Sequence, residues 1–168
     1  QPREHLGLMG SEDPLMFHLR VLLDVCQAVA YAHSEGVMHR DIKPENVMIG
    51  RFGQVYLLDW GSALALREHP NRVLPLVDEP HRSEGTPAYM APEMVQGGVL
   101  SERTDVFLLG ATLHYVLTGR GRNVSEGTGP SRWMGGTEVP AELNEICDRA
   151  CAASPAQRFP SVLEVVDA

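Results

Sequence analysis

The hydrophobic residues between positions 15 and 30 return every three or four positions, which is the period of one face of an α-helix. Asp13 and Pro14 stand just before this run. Aspartate caps the first free N–H groups of a helix, and proline suits its first turn. The period ends before Gly36, a residue type common at helix ends. We therefore predict a long helix that starts at Pro14 and ends before Gly36, with one buried face.

Two short apolar runs, at 47–49 and 55–58, are rich in residues that favour strands. The segment between them contains Gly50 and Gly53, as expected of a tight connection. We predict a small β-hairpin. Because antiparallel strands run side by side, Asn46 before the first strand and Asp59 after the second are expected at the same end of the hairpin.

Helical spacing returns three times in the second half of the chain. Ser101 precedes a mostly apolar run that stops at Gly119, which predicts a central, buried helix. Pro140 opens a second helix with apolar residues on one side. Ser161 and Glu164 have the spacing of a capping box and start a last helix.

Two segments show no sustained period. Residues 62–84 mix polar and apolar positions and hold three prolines, and residues 119–136 hold six glycines. Segments of this length without a period are usually surface loops with a function. We predict a long surface segment for the first and a loop for the second.

The composition narrows the class of protein. The chain has 168 residues, of which 43% are hydrophobic, and this suits one domain with its own core. A formal net charge of -8 disfavours nucleic acid and anionic membrane surfaces as partners, because both attract basic proteins. The longest apolar stretch, 106–117, is too short to span a bilayer, and the first residues do not resemble a signal peptide. We predict no nucleic-acid partner and no membrane segment.

The three cysteines, Cys26, Cys147 and Cys151, fit a reducing compartment, since an odd count with no zinc-type cluster suggests no disulfide framework. Cys147 and Cys151 can share a helical face, but no histidine or second cysteine pair completes four metal ligands. Free cysteine is among the most buried residue types. We predict core thiols and a cytoplasmic location, for the whole protein or for the cytoplasmic part of a membrane-anchored one.

Three motifs follow one another in the middle of the chain. Residues 39–46 read His-Arg-Asp-Ile-Lys-Pro-Glu-Asn, residues 59–61 read Asp-Trp-Gly, and residues 85–93 read Gly-Thr-Pro-Ala-Tyr-Met-Ala-Pro-Glu. Their order and spacing resemble the catalytic loop, the metal-binding turn and the end of the activation segment of the protein kinase family. The match is best to the serine/threonine class, and it extends from about Asp13 to Ala168.

The resemblance implies a fold and a division of the chain. The fold class is mainly α (α+β), as the large helical C-terminal lobe of the protein-kinase-like fold with a small β-hairpin at the catalytic loop. Residues 1–168 are then the C-terminal portion of the catalytic domain, without the N-terminal lobe. Residues 59–93 are the activation segment.

The resemblance also implies a reaction, the transfer of the γ-phosphate of Mg-ATP to a serine or threonine hydroxyl of a protein substrate. Asp41 would accept or orient the proton of that hydroxyl. Asn46 and Asp59 would bind Mg²⁺ through oxygen atoms, and Lys43 would place a positive charge near the moving phosphate. Thr86 would help to hold the acceptor peptide near Asp41.

Each of these residues also has an ordinary structural explanation. Asp41, Asn46 and Asp59 belong to residue types that often cap turns. Taken one at a time, a turn role is the better interpretation of each. The surrounding motifs reverse that order, because three motifs in sequence have no structural reason to occur together.

Family members with an arginine at the position of Arg40 use it to bind a phosphate on the activation segment. A phosphoserine brings negative charge and acceptor oxygens that a guanidinium binds in pairs. Ser83 lies in this segment, three residues before Thr86, and is our candidate for the modified site. The alternative, that Ser83 is a solvated loop serine, has equal weight.

The resemblance gives structural roles to four further residues. Glu93 and Arg158 are expected to form a buried ion pair that anchors the end of the activation segment. Asp105 is expected to accept backbone hydrogen bonds from the catalytic loop. His39 is expected to pack as a support rather than to act as a base.

The chain departs from the family pattern in its nucleotide-binding half. It contains no Gly-x-Gly-x-x-Gly, and Lys43 is its only lysine, so no lysine remains to pair with the α- and β-phosphates. We therefore expect these residues alone to bind ATP weakly and to transfer phosphate poorly. Trp60 replaces the usual phenylalanine of the metal-binding turn and keeps a large aromatic side chain there. Turns of this kind occur among bacterial members, which favours a bacterial origin.

Two functions stay open at this point. The first is a serine/threonine kinase that is completed by an upstream N-terminal lobe. The alternative is a pseudokinase-like scaffold whose groove binds a peptide or partner without turnover. Asp41, Lys43, Asn46 and Asp59 together favour the enzyme, whereas the missing second lysine favours the scaffold.

Overall fold

The structure is a computed structural model, and it describes residues 13–68, 73–79, 85–121 and 139–168. Its helices are α1 (Pro14–Ser34), α2 (Pro92–Gln96), α3 (Glu102–Thr118), α4 (Ala141–Ala150) and α5 (Val162–Val166). Its strands are β1 (Val37–Met38), β2 (Val47–Ile49), β3 (Val55–Leu57) and β4 (Leu64–Ala65). Short 3-10 turns cover Pro44–Asn46, Trp60–Ser62 and Pro155–Gln157. The expected mainly helical α+β fold with a small hairpin is confirmed.

Helix α1 forms where the apolar period predicted it. The Asp13 carboxylate accepts the Leu15 N–H at 2.9 Å, so the predicted cap is present. The buried face of the helix includes Val25 and Val29 and packs against α3 and α5. The helix therefore backs the loop that follows it.

Among the described residues, α1 is the one helix long and apolar enough to cross a membrane, with a mean hydropathy of 1.4 over its best window. The apolar stretch 106–117 lies in α3, which has 17 residues and is too short to be such a helix. About a fifth of the α1 window is buried, and core helices that cross no membrane pass the same test. The absence of a membrane segment therefore stays a prediction.

Helix α3 is the centre of the fold, as its apolar surface predicted. Residues 104–113 are all buried, and the helix contacts α1, α4 and α5. Ser101 and Thr104 form the capping box, and the helix ends at Gly119, which has φ 68°. At Gly110 a Cβ atom would lie 2.6 Å from the Cβ of Ala150, so the close approach of α3 and α4 requires glycine.

The last two helices also start where their caps predicted. Helix α4 follows Pro140, and the Ser161 hydroxyl accepts the Glu164 N–H at 3.4 Å at the start of α5. Most of the predicted loop at 119–136 lies outside the described residues. Helices α4 and α5 share one hydrophobic core with α1 and α3.

Strands β2 and β3 form the predicted antiparallel hairpin. Val47 lies opposite Leu57, and Ile49 lies opposite Val55. The side chains alternate between the two faces, so Val47 packs on the core whereas Tyr56 is exposed. The Leu58 N–H donates to the Asn46 carbonyl at 2.8 Å, which brings Asn46 and Asp59 to one end of the hairpin, as expected.

The prediction of a surface segment over 62–84 is wrong at its start. Residues 63–65 are buried, and β4 pairs with β1 in a second two-stranded sheet, with Met38 opposite Leu64. Ala65 also forms a parallel bridge with Leu76. Strands of two residues are too short to show a period in the sequence, and for that reason they were missed.

All three cysteines are buried thiols outside any disulfide, which confirms the core-thiol prediction. Burial raises the pKa of the Cys26 thiol to about 12, so this group stays protonated at neutral pH. Cys147 and Cys151 lie against backbone carbonyls of α3, at 3.4 Å from Gly110 and 3.7 Å from Phe107. They belong to the contact between α3 and α4.

Candidate active site

The start of the 39–46 loop is fixed by a carboxylate on α3. The Asp105 side chain is fully buried and accepts the backbone N–H of His39 at 2.8 Å and that of Arg40 at 2.9 Å. Its Oδ2 also contacts Nε2 of the buried His33 at 2.8 Å. Arg40 has φ 72°, a conformation that non-glycine residues seldom adopt, and Asp105 compensates for this strain.

His39 joins the loop to the end of β3. Its Nδ1 accepts the Asp41 N–H at 3.2 Å, and its Nε2 donates to the Leu58 carbonyl at 3.0 Å. Burial lowers the pKa of the His39 imidazole, and the smaller opposing effect of nearby carboxylates such as Asp105 does not restore it. The ring is therefore neutral with its proton on Nε2, the one tautomer that makes both contacts.

Asp41 is buried, and each of its carboxylate oxygens accepts hydrogen bonds. Oδ2 accepts from Lys43 Nζ at 2.6 Å and from Asn46 Nδ2 at 3.1 Å. Oδ1 accepts from the backbone N–H of Thr86 at 3.1 Å and from its hydroxyl at 3.0 Å. The Thr86 hydroxyl in turn accepts from Lys43 Nζ at 2.6 Å. Four predicted site residues thus form one network, although Thr86 is 45 residues from Asp41.

This network sets the ionisation of Asp41. Burial raises the pKa of the carboxyl, but the hydrogen bonds from Lys43, Thr86 and Asn46 and the charge of Lys43 together lower it below its ordinary value. Asp41 is therefore ionised at neutral pH and is a weak base. Such a carboxylate is suited to orient a hydroxyl group and to accept its proton late in a reaction.

Asn46 and Asp59 offer oxygen atoms at the same end of the hairpin. Asn46 is buried, and its Nδ2 donates to the carbonyl of Asp41 at 2.7 Å, so the other end of the amide presents its oxygen. Asp59 is exposed, has φ 59° and ψ 70°, and accepts the Gly61 N–H at 3.3 Å.

These two donors fit Mg²⁺ held jointly with phosphate groups, because Mg²⁺ typically takes one or two protein oxygens and completes its shell with phosphate and water. Within the described residues, no group of three or more His, Cys, Asp or Glu side chains forms a metal site of its own. A cation here would depend on a phosphate ligand.

Arg40 is buried, and its Nη1 donates to the Ser62 carbonyl at 3.1 Å. This bond ties the loop to the segment that follows Asp59. Ser83, the candidate phosphorylation site, lies outside the described residues. Its relation to Arg40 therefore stays a prediction.

Glu93 and Arg158 form a buried, bidentate ion pair. Nη1 and Nη2 of Arg158 donate to the two carboxylate oxygens of Glu93 at 2.6 and 2.8 Å. Nη1 also donates to the carbonyl of Arg103 at 2.9 Å, and the guanidinium lies 4.8 Å above the ring of Phe107. Glu93 lies in the first turn of α2, at the end of the 85–93 motif. The pair therefore anchors α2 to α3.

Three contacts of the site have no signal in the sequence pattern. His33 binds Asp105, Thr112 donates from its hydroxyl to the Ile42 carbonyl at 3.3 Å, and the Trp60 indole donates to the Leu57 carbonyl at 3.1 Å. The first two join residues about 70 positions apart. A histidine on a helical face and a threonine in an apolar run are too common to be assigned from spacing alone.

Comparison with known proteins gives a consistent result. A family model described as the protein kinase domain matches residues 17–159. The chain is similar to the serine/threonine-protein kinase PknD of Chlamydia felis, with 35% identity over 89% of this chain and 18% of that protein. It is also similar to PknD of Chlamydia caviae, with 34% identity over 92% of this chain and 19% of that protein. The chain therefore spans about a fifth of the length of these bacterial relatives.

Proposed function

We propose that this chain, which belongs to the protein kinase family, is the phosphate-transferring lobe of a serine/threonine kinase and works with a nucleotide-binding N-terminal lobe. On this proposal residues 1–168 are the C-terminal part of the catalytic domain, and 59–93 form the activation segment. The substrates are ATP and a protein with a serine or threonine acceptor. The reaction takes place in the cytoplasm, where ATP is available.

One observation carries the proposal. The Asp41 carboxylate holds the hydroxyl group of Thr86 at 3.0 Å, and the Lys43 ammonium touches both groups at 2.6 Å. A site that holds one hydroxyl beside an ionised carboxylate and a cation has the chemistry needed for a second hydroxyl, that of the acceptor. A turn that only required a cap would not need all three groups.

In the reaction, the acceptor hydroxyl oxygen forms a bond to the γ-phosphorus, and the bond from that phosphorus to the bridging oxygen breaks, so ADP leaves. Asp41 orients the hydroxyl and takes its proton. Lys43 offsets the charge of the moving phosphate, and Thr86 holds the acceptor segment in place. Asn46 and Asp59 would hold Mg²⁺ through their oxygen atoms, and the ion would neutralise part of the phosphate charge.

We further propose a regulatory role for Arg40. A phosphate on Ser83 would add charge and acceptor oxygens near the end of the 59–93 segment. A guanidinium is suited to bind such a group in pairs of hydrogen bonds. Because Arg40 is already tied to the Ser62 carbonyl, a phosphate bound to it would connect the catalytic loop to the segment.

The second candidate function is a scaffold without turnover, and one observation favours it. Lys43 is the only lysine of the chain, and it is engaged by Asp41 and Thr86. No other lysine of this chain remains to pair with the α- and β-phosphates of a nucleotide. A scaffold needs no phosphate-binding lysine. The enzyme needs one from the N-terminal lobe.

The test is phosphate transfer from radiolabelled ATP to dephosphorylated casein by the full-length protein. We expect Asp41→Asn to lower the rate by about 10² to 10⁴ with the helical circular dichroism unchanged. Asp24→Asn, on the exposed side of α1, is the matched control and should keep the full rate. A rate within a factor of a few after Asp41→Asn would refute the role of Asp41, and no transfer by the unaltered protein would favour the scaffold.

Residues 1–168 alone provide a separate test of the lobe assignment. Without a phosphate-binding lysine and its partner glutamate, we expect transfer well below that of the full-length protein. Robust autophosphorylation by this segment would contradict the assignment.

A further inference from the structure

A cavity of about 290 Å³ opens between the end of α1, the start of α3, the start of α5 and Arg67, which follows β4 by two residues. None of the residues proposed to act in phosphate transfer lines this cavity, so it is separate from the candidate active site. Its volume lies near the lower end of the range for small-molecule sites. The residues that line it therefore indicate which small ligand would fit.

One of the lining residues is His33, whose side chain is 6% exposed. Its Nε2 lies 2.8 Å from Oδ2 of Asp105, and this oxygen also accepts the N–H of His39. Because a carboxylate oxygen accepts hydrogen bonds, Nε2 carries the proton, and Nδ1 of the neutral ring is an acceptor. Among the described residues, Nδ1 has no hydrogen-bond partner. Buried polar groups nearly always have one, so a ligand with an N–H group would satisfy Nδ1.

Two side chains of opposite charge also line the cavity. Arg67 and Glu102 are both part of its wall, yet neither forms an ion pair with any residue in the described ranges. A ligand that carries one charge of each sign can pair with both side chains at once. A ligand with a single charge would also meet a like charge, which weakens binding. The cavity therefore favours a zwitterion.

The fold holds Arg67 in place beside this cavity. Its Nη2 donates to the Ser34 carbonyl at the end of α1, at 2.6 Å. Gly36 has φ 77°, and a Cβ atom at this position would lie 2.9 Å from Nε of Arg67. The arginine side chain thus lies against a surface that glycine leaves open. A group that is already positioned loses less conformational entropy when it binds a ligand.

We propose that this cavity binds a free α-amino acid with an apolar side chain. The carboxylate of the ligand pairs with the Arg67 guanidinium. Its ammonium group pairs with Glu102 and donates a hydrogen bond to Nδ1 of His33. Ala30 and Val162 supply apolar surface for its side chain. This site is independent of the proposed function, because it requires neither ATP nor phosphate transfer.

The first measurement is a ligand-observed NMR titration of the full-length protein with L-leucine. We expect a dissociation constant on the order of 0.1 to 1 mM for so small a ligand. Isocaproate is leucine without its ammonium group, and isoamylamine is leucine without its carboxylate. Each should bind at least about threefold more weakly than leucine, because each loses one charge pair. Equal binding of either analogue, or no leucine binding at all, would overturn the proposal.

The second measurement repeats these titrations with variants that each remove one charge from the cavity. Glu102→Gln should weaken leucine binding roughly three- to tenfold without weakening isocaproate binding, since isocaproate has no ammonium group. Arg67→Gln should weaken leucine and isocaproate alike but should not weaken isoamylamine binding. If Glu102→Gln weakens leucine and isocaproate equally, the ammonium group does not pair with Glu102 and the proposal is wrong.

Two substitutions outside the cavity are the matched controls. Glu142→Gln removes an exposed acid from the first turn of α4, as Glu102→Gln does from the first turn of α3. Arg51→Gln removes an exposed arginine from the hairpin connection. Neither should change the affinity for leucine. A loss as large as that of the cavity variants would mean that leucine responds only to the overall charge, and it would overturn the proposal.

The third measurement locates the ligand by ¹⁵N NMR of the full-length protein labelled at histidine. Saturating leucine should shift the Nδ1 signal of His33, because this nitrogen gains a hydrogen bond. The spectrum of His33→Gln identifies that signal, and the signals of the exposed His18 on α1 should stay unchanged. If leucine binds and the His33 signal does not move, the ligand lies outside the cavity and the proposal fails.

Discussion

The 39–46 loop and the turn at Asp59 lie at the same end of the β2–β3 hairpin, but they are held in opposite ways. Asp41 is buried, and both of its carboxylate oxygens accept hydrogen bonds from side chains of the fold. Asp59 is exposed, and its carboxylate accepts a backbone N–H from Gly61 at 3.3 Å. The fold therefore fixes the carboxylate of Asp41, whereas it leaves that of Asp59 exposed to solvent.

This difference predicts that substitutions at the two acids affect stability to different extents. A buried polar network is stable only if all its groups are satisfied, so a change in the loop should reduce stability as well as activity. An exposed acid contributes little to stability, so a change at Asp59 should act on ligand binding alone. The predictions below test this separation, from the largest expected effect to the smallest.

Asp105→Asn should have the largest effect on stability. The carboxylate of Asp105 now accepts hydrogen bonds from the N–H groups of His39 and Arg40. The NH₂ group of an asparagine amide would face at least one of these two N–H groups, and that N–H would lose its acceptor. A buried donor without an acceptor costs a few kcal/mol, so we expect the free energy of unfolding to fall by about 3 kcal/mol. Urea denaturation measures this free energy of unfolding. Asp24→Asn on α1 is the control, and equal effects of the two changes would contradict the anchoring role of Asp105.

Thr86→Ala removes the hydroxyl that bridges Asp41 and Lys43. The hydroxyl no longer donates to the Asp41 carboxylate, and the Lys43 ammonium loses one of its acceptors. We therefore expect the free energy of unfolding to fall by about 1 to 2 kcal/mol. Thr86→Ser keeps the hydroxyl and serves as the control. If both variants unfold at the same urea concentration, the hydroxyl does not stabilise the loop.

The stability should also fall in mild acid because of His39. Its pKa in the folded protein lies below the ordinary value of 6.5, so below pH 6.5 the unfolded chain binds the proton more readily than the folded one. The stabilising contribution is fully present above pH 6.5 and is lost as the pH falls from there toward the folded pKa. One proton limits the slope to about 1.4 kcal/mol per pH unit.

The measurement is the urea midpoint between pH 7.5 and pH 5.5, for the unaltered protein and for His39→Gln. Glutamine retains a donor and an acceptor but does not titrate in this range. We expect a smaller slope in the variant. An identical slope in both proteins would exclude His39 as the source.

Asp59→Asn should have the smallest effect on stability, within about 0.5 kcal/mol, because the side chain is exposed and an amide oxygen can still accept the Gly61 N–H. The same change should raise the Mg²⁺ concentration needed for phosphate transfer. A loss of stability as large as that of Asp105→Asn would remove the distinction between the loop and the turn.

Much of the secondary structure followed from local signals. The cap at Asp13, the capping box at Ser101 and the stop at Gly119 set the ends of two helices, because each signal acts within a few residues. The two-residue strands β1 and β4 were missed, since so short a segment has no measurable period. They pair Val37 with Ala65, two residues that lie far apart in the sequence.

The candidate site was named from motifs, but its geometry was not contained in them. The motifs put Asp41, Lys43 and Asn46 in one loop and indicated Thr86 as a neighbour. They did not indicate that the Thr86 hydroxyl would sit between Asp41 and Lys43. The hydrogen bond of the Trp60 indole was also hidden, because its acceptor is a backbone carbonyl and not a side chain.

By itself, the sequence determined the main helices, the hairpin, the family resemblance and the candidate residues of the site. These depend on periods, caps and motifs that act over short distances along the chain. Only the tertiary structure decided which groups touch, such as Asp105 with a loop 65 and 66 residues earlier, or Arg158 with Glu93 65 residues earlier. Contacts at such separations form only when α1, α4 and α5 pack around α3, so they depend on the whole fold and not on any local segment.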